Sequence, residues 1–124
     1  DFVIGSRAKK ESVVNVKQNL LRIIMGESFN FFVKFFLKLD YNDTQCGLKL
    51  FNGKKIRDLS KFCKVNRFCI DVEILYLAKK FNFSVCELGI IWNNDSRSSV
   101  NLLSDPLSMF IDLIMIRFRN YKLK

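Results

Sequence analysis

The chain has 124 residues, enough for one domain with a modest core and too few for two ordinary domains. Hydrophobic residues make up 49% of it and there is a single Pro, which excludes a disordered chain. The net charge of +9 favours an anionic partner: a nucleotide sugar, a lipid phosphate, an anionic membrane face or nucleic acid. A coding bias towards Lys, Asn, Ile and Phe would produce part of the same excess.

Cysteine and histidine usage narrows the chemistry. Cys46, Cys63, Cys69 and Cys86 form no CxxC pair and the chain has no His, which argues against a zinc site and against a Ser-His or Cys-His nucleophile. Acid-base chemistry must then fall to carboxylates. The cysteines lie in apolar stretches, so we expect buried, reduced thiols in a cytosol-facing compartment. Neither a signal peptide nor an 18-residue apolar span is predicted.

The first predicted element is a buried strand at residues 2–4. It leads into Gly5-Ser6-Arg7, so Arg7 would lie at the carboxyl end of the strand. Ligands bind at that edge in open α/β sheets. Residues 8–15 are polar and are expected to form a mobile connection.

Residues 16–39 show a helical pattern with one narrow polar stripe on an otherwise apolar surface. About 24 nearly all-apolar residues exceed what the core of a small domain covers, so we expect contact with a membrane interface or a partner helix rather than burial in the core. A break at Gly26-Glu27-Ser28, which would divide the segment into two helices, is the alternative.

The next stretch is Asp43-Thr44-Gln45-Cys46-Gly47-Leu48-Lys49-Leu50-Phe51. It combines an acid, a turn glycine and a lysine between an apolar and a basic segment. Asp43 is either a catalytic carboxylate or a residue that caps the local backbone, which is the commoner role of Asp before a glycine turn. Lys49 would present a cation to a phosphate on the same surface.

Two helices are predicted directly after this stretch. Asn52-Gly53 is a turn signal, and residues 54–64 read as a short basic helix. In the following helix Asp71 lies in the first turn, where a carboxylate also caps free amides, and Ile74, Leu77, Ala78 and Phe81 form the core stripe.

The C-terminal third contains a strand, a polar loop and a helix. Residues 83–92 are a strand candidate, with Val85, Leu88, Ile90 and Trp92 as its apolar set, and residues 93–101 are a polar loop. Asp105-Pro106 opens a strongly apolar helix with several cations at its end, a pattern typical of an interfacial helix on an anionic membrane.

The stretch from Asp43 to Phe51 resembles the DTQCGFKLF signature of the dolichyl-phosphate glucosyltransferases, a branch of family-2 glycosyltransferases, with Leu48 where the family has Phe. Three further motifs follow that family in the same order: Gly5-Ser6-Arg7, the segment 68–78 (family FDVELLYLA) and the final MFIDLIMIRFR. The resemblance runs from Phe2 to about Tyr121.

The resemblance implies an α/β fold. Residues 1–124 would form a single partial domain, the C-terminal, acceptor-side part of a GT-A-like glycosyltransferase domain, with few strands and amphipathic membrane-facing helices. The donor-binding N-terminal half is absent from the 124 residues, and with it the D-x-D motif that holds Mg²⁺ or Mn²⁺ in such enzymes. The chain alone is therefore expected to lack transferase activity.

The implied reaction is glucosyl transfer from UDP-glucose to dolichyl phosphate, giving dolichyl β-D-glucosyl phosphate, at the cytosolic face of the endoplasmic reticulum membrane. The acceptor is already ionised near neutral pH, so a carboxylate would orient groups rather than abstract a proton. The resemblance assigns Asp43, Asp71 and Glu73 to the catalytic, acceptor-arranging role. It assigns Arg7, Arg22, Gln45, Lys49 and Arg97 to phosphate or substrate binding. A second family arginine is replaced by Lys17.

Three other functions are weighed against this one. A mannosyltransferase using GDP-mannose is disfavoured by the residues of the motifs at 43–47 and 71–78, which resemble those of the glucosyltransferases. A non-catalytic membrane-binding or scaffold fragment would pair with a separate donor-binding half or form a homo-oligomer. Nucleic-acid binding would require a clustered basic face with exposed aromatic residues, whereas these Phe residues lie in apolar helical runs, so no nucleic-acid partner is expected.

Overall fold

The computed structural model describes residues 1–16, 19–93 and 104–121. It is an α/β structure, and the predicted α/β class is confirmed. The strands are β1 (Phe2–Ser6), β2 (Val13–Val14), β3 (Lys49–Phe51), β4 (Val85–Gly89) and β5 (Ile91–Trp92). The helices are α1 (Leu20–Leu37), α2 (Gly53–Ser60), α3 (Ile70–Lys80) and α4 (Asp105–Phe118), with a 3-10 turn (Arg67–Cys69) before α3.

A three-stranded sheet of order β3-β1-β4 positions the rest of the fold. β1 is antiparallel to β3 and parallel to β4, with Val3 opposite both Leu50 and Cys86. Phe2 and Ile4 are buried on the face that meets the helices. The predicted strand at residues 2–4 is therefore confirmed, and it continues to Ser6, directly before Arg7.

Helix α3 lies between two apolar clusters. Val72 and Leu75 belong to a cluster shared with α1 and α4, whereas Leu77 and Ala78 pack with Phe2 and with Leu59 of α2. The predicted core stripe was too narrow, because α3 is covered on two sides and buries six of its eleven residues.

Helix α1 is continuous through Gly26-Glu27-Ser28, so the single helix is confirmed and the alternative of two helices is not. Its N-cap is Asn19, whose Oδ1 accepts from the Leu21 N–H at 2.9 Å. Only Val33 and Leu37 are buried, and Phe31 and Phe35 are 63% and 69% exposed. Most of this helix thus lies outside the core, as its length and apolarity predicted. In the described part of the chain no helix is long and apolar enough to cross a membrane.

Three local expectations are corrected. Residues 83–92 form two strands, β4 and β5, separated at Ile90, and Leu88 is exposed rather than part of an inward apolar set. The segment expected to be mobile contains β2, which pairs in parallel with β5. Cys86 is exposed, because alternate residues of β4 point away from the helices, although Cys46 and Cys69 are buried and all four thiols are free.

Candidate functional site

The centre of the site is an ion pair between Arg7, which follows β1, and Asp43. Nε of Arg7 donates to Oδ2 at 2.6 Å, and Nη2 donates to Oδ1 at 2.9 Å. The backbone N–H of Arg7 also donates to Oδ2, at 3.0 Å. This is the bidentate geometry that fixes both side chains. The structure thus brings into direct contact two site residues that were predicted from separate motifs.

In this ion pair the charge of Arg7 stabilises that of Asp43, and the charge of Asp43 stabilises that of Arg7. Burial alone would raise the pKa of the Asp43 carboxyl, but the hydrogen bonds and charge of Arg7 outweigh burial, and the pKa is lowered from its ordinary value. The hydrogen bond to Asp43 raises the pKa of Arg7, against the effect of burial. At neutral pH Asp43 is thus an ionised, fully engaged carboxylate, suited to orienting a neighbour rather than to taking a proton.

Asn30 of α1 holds the loop that carries Asp43. Its Nδ2 donates to the carbonyl oxygens of Tyr41 and Asn42 at 3.1 and 3.0 Å, and its Oδ1 accepts from the Thr44 hydroxyl at 3.3 Å. The sequence showed Asn30 only as a member of the polar stripe of the helix. Its role was missed because the stripe does not reveal which loop lies over it.

Glu87 of β4 holds the same loop from the opposite side. Its Oε1 accepts from the backbone N–H groups of Asn42 and Asp43 at 2.8 and 2.9 Å, and its Oε2 accepts from the Asn42 side-chain amide at 2.9 Å. This role was also missed. The available signal was a carboxylate in the interior of a predicted strand, where acids are depleted.

A cleft of about 660 Å³ opens beside the ion pair, within the size range of small-molecule sites. Cationic side chains reach it from Arg7 and, on α1, from Arg22 and Lys34, which outnumber the one further carboxylate of its lining, Glu27. The apolar part of its lining comes from Val14, Ile23, Phe31 and Trp92. The Arg7 guanidinium lies 5.3 Å from the centre of the Trp92 ring, in cation–π range. Cations beside an apolar wall suit an anion that carries a hydrocarbon chain.

Two cleft residues have unused binding capacity. Within residues 1–16, 19–93 and 104–121, the buried Nε2 of Gln45 has no hydrogen-bond partner. An unpaired buried donor costs about 1–3 kcal/mol, so an acceptor oxygen in the cleft would stabilise it. Arg22 is half-buried, and no carboxylate of the described segments forms an ion pair with it. Lys34 Nζ lies 3.4 Å from the exposed Asp40.

Lys49 and Asp71 lie outside this cleft and pair with each other. Lys49 Nζ is 3.1 Å from Oδ1 of Asp71, and the Lys49 side chain is only 4% exposed. Lys49 also donates to the Cys46 carbonyl. The pair ties β3 to the first turn of α3, so the geometry gives both residues a structural role.

Glu73 is completely buried and also lies outside the cleft. Its Oε2 accepts from the backbone N–H groups of Lys64 and Val65, both at 2.8 Å. Its Oε1 accepts from the Tyr121 hydroxyl at 2.7 Å and from Arg119 at 3.3 Å. These bonds join α3, the segment before it and the chain after α4, which leaves Glu73 no oxygen for a substrate.

Four of the eight predicted site residues therefore line the cleft: Arg7, Arg22, Asp43 and Gln45. Arg97 and Lys17 lie outside the described residues. Among those that are described, no three Asp, Glu, Cys or His side chains are grouped so that they would hold a metal ion.

Comparison with known proteins places this chain beside glycosyltransferases. It is 36% identical over 119 residues to the dolichyl-phosphate beta-glucosyltransferase of Dictyostelium discoideum, and 35% over 118 residues to that of Drosophila melanogaster. Identity to the human enzyme is 32% over 115 residues. No family model and no solved structure matches the chain.

These alignments cover 93–95% of this chain but only 36% of each relative. The chain thus spans about a third of the length of the curated relatives it matches. It is homologous to a part of the dolichyl-phosphate beta-glucosyltransferases.

Proposed function

We propose that the chain forms the acceptor side of a dolichyl-phosphate beta-glucosyltransferase, which transfers glucose from UDP-glucose to dolichyl phosphate and yields dolichyl β-D-glucosyl phosphate. The observation that carries this proposal is the cleft, in which Arg7, Arg22 and Lys34 lie beside an apolar wall. The names of the relatives supply the acceptor, because each is a dolichyl-phosphate glucosyltransferase.

In the proposed reaction a phosphate oxygen of the acceptor attacks C1 of glucose. The bond from C1 to the UDP oxygen breaks with inversion, and UDP leaves with the electron pair. The phosphate is already ionised near neutral pH, so the step needs no general base. Arg22 and Lys34 would bind the phosphate, Gln45 would donate to one of its oxygens, and Asp43 would hold Arg7 in position.

The helices α1 and α4 are proposed to lie against the membrane that contains the acceptor. They pack together through Phe110, whose ring centre is 5.3 Å from that of Phe32 and 5.9 Å from that of Phe36. Each presents exposed apolar residues at helical spacing; we name this set the apolar helix surface. Its members are Leu20, Ile24, Phe31, Phe35, Leu107, Ile111, Met115 and Phe118. Because the whole chain carries a net charge of +9, we propose that this surface contacts an anionic bilayer. The cytosolic face of the endoplasmic reticulum is the proposed location.

The donor side is proposed to reside in the remaining two-thirds of a full-length enzyme with a GT-A domain. A Mg²⁺ or Mn²⁺ ion would belong to that donor side, and among the described residues no three Asp, Glu, Cys or His side chains are grouped. We therefore assign no metal-dependent step to these residues. The chain alone is predicted to transfer no glucose.

A chimeric enzyme tests this function. In the Dictyostelium relative, the stretch matched over 119 residues would be replaced by this chain. Transfer of radiolabelled glucose to dolichyl phosphate would be measured in detergent with Mg²⁺. We expect product from UDP-glucose and not from GDP-mannose, and a loss of about tenfold or more with Arg22→Gln, in line with the loss of one charged contact.

The matched control is Lys61→Gln, which removes a cation that lies on the surface outside the cleft and is expected to preserve the rate. A folded, membrane-bound chimera that forms no product would contradict the proposal and favour the scaffold alternative.

A further inference from the structure

The three-stranded sheet has one apolar face that no described helix covers, and on it only Gly5 is buried, beside Cys46 and Ile90. Leu50 and Cys86 flank Val3 across the strands, and Leu88 lies opposite Gly5. Leu48 joins them, because a Cβ built on Gly5 would lie 3.2 Å from the Leu48 Cβ. We name these residues the bare sheet face. Leu48, Leu50 and Leu88 are 63%, 71% and 51% exposed, and Cys86 is exposed as well.

This exposure is unusual for such a sheet. β1 is antiparallel to β3 but parallel to β4, and sheets of parallel strands almost always have both faces covered. Here only the face that carries Phe2 and Ile4 is covered by helices of the described chain. A contiguous patch of exposed leucines marks an interaction surface rather than ordinary scattered exposure.

We propose that the bare sheet face is the docking surface for polypeptide corresponding to the two-thirds of the relatives that this chain does not match. That length is ample to supply helices for the second face of the sheet. The apolar helix surface lies on α1 and α4, so membrane contact would leave the bare sheet face free for this occupant. The inference rests on the length of the relatives and not on the proposed reaction.

Cys86 provides a built-in reporter of this contact. It is the exposed thiol, whereas Cys46 and Cys69 are buried, and burial raises the pKa of Cys69 to about 12 and that of Cys63 to about 11. Modification by N-ethylmaleimide, followed by peptide mass spectrometry, would be compared between the chain alone and the chimera. We expect modification of Cys86 to be at least tenfold slower in the chimera, with the full rate restored by denaturation.

Equal rates of Cys86 modification in the chain and the chimera would overturn the proposal. If anionic liposomes slowed the modification of Cys86 in the isolated chain, the membrane would be the occupant of the bare sheet face, and the proposal would be overturned. If the modification of Cys86 became slower as the concentration of the isolated chain rose, a second copy of the chain would be the occupant, and the proposal would again be overturned.

Melting temperatures give an independent test. Leu50→Lys places a charge at an exposed position of the chain alone and at a covered position of the chimera. We expect it to leave the melting temperature of the chain unchanged and to lower that of the chimera by several degrees. Leu20→Lys, at an equally exposed position on α1, is expected to change neither. A chimera that tolerates Leu50→Lys as well as Leu20→Lys would overturn the assignment, whether or not it transfers glucose.

Discussion

The carboxylate of Asp43 has three N–H donors from Arg7 alone, and its loop is held by Asn30 and Glu87. Such a carboxylate is costly to bury without its partner, because desolvation acts against its charge. The pair therefore fixes the position of the guanidinium at one end of the cleft.

The pH dependence of stability should report the Asp43 carboxylate. Its folded pKa is lowered, so its contribution is present above its unfolded pKa of about 4 and is lost as pH falls through the folded value. Asp43→Asn is expected to lower the melting temperature at pH 7, with the difference from wild type shrinking towards pH 2. A difference that stays constant between these two pH values would contradict the assigned ion pair.

Glu73 is predicted to matter for stability rather than for catalysis. Glu73→Ala would leave the buried backbone N–H of Val65, the part-buried N–H of Lys64 and the Tyr121 hydroxyl without their acceptor, at a cost of about 3 kcal/mol in the free energy of unfolding. Urea denaturation measures this cost. The control Asp58→Asn, at an exposed surface pair, is expected to leave the midpoint unchanged. A Glu73→Ala midpoint equal to that of the control would refute the structural role.

At the scale of elements, the spacing of apolar residues predicted the longer helices and strands. β1, α1 and α3 are where the apolar spacing indicated, and Asp105-Pro106 opens α4. The short strands β2 and β3 were not predicted, because two or three residues carry no measurable period and form strands only through a distant partner. The alternative of a break at Gly26 does not occur, since an isolated glycine inside a helical pattern costs only about 1 kcal/mol relative to Ala.

The apolar helix surface should bind anionic bilayers. Sedimentation with liposomes containing phosphatidylserine is expected to recover the wild-type chain. The double substitution Phe35→Asp and Phe118→Asp is expected to abolish recovery, since it removes two of the most exposed rings and adds repulsive charge. Leu50→Asp on the bare sheet face is the control and should still sediment with the liposomes. If Leu50→Asp were lost from the pellet while the double variant was retained, the assignment of the membrane contact to α1 and α4 would be contradicted.

At the scale of the whole molecule, the cleft joins residues far apart in the chain. Arg7, Arg22, Asp43 and Trp92 come from the end of a strand, a helix, a loop and a second strand. Sequence motifs singled out Arg7, Arg22 and Asp43 as site residues. They did not reveal that Arg7 pairs with Asp43 or that Lys49 pairs with Asp71, because the choice of partner depends on distances that only the fold sets.

Binding of the acceptor to this chain tests the central claim most directly. Radiolabelled dolichyl phosphate and dolichol would be compared in detergent micelles, with wild type, Arg22→Gln and the surface control Lys61→Gln. The cleft predicts that the wild type and the control prefer dolichyl phosphate and that Arg22→Gln binds it about tenfold more weakly, a loss of about 1.4 kcal/mol. Equal binding of dolichol and dolichyl phosphate, or an affinity unaffected by Arg22→Gln, would contradict the assignment of this cleft to the lipid phosphate.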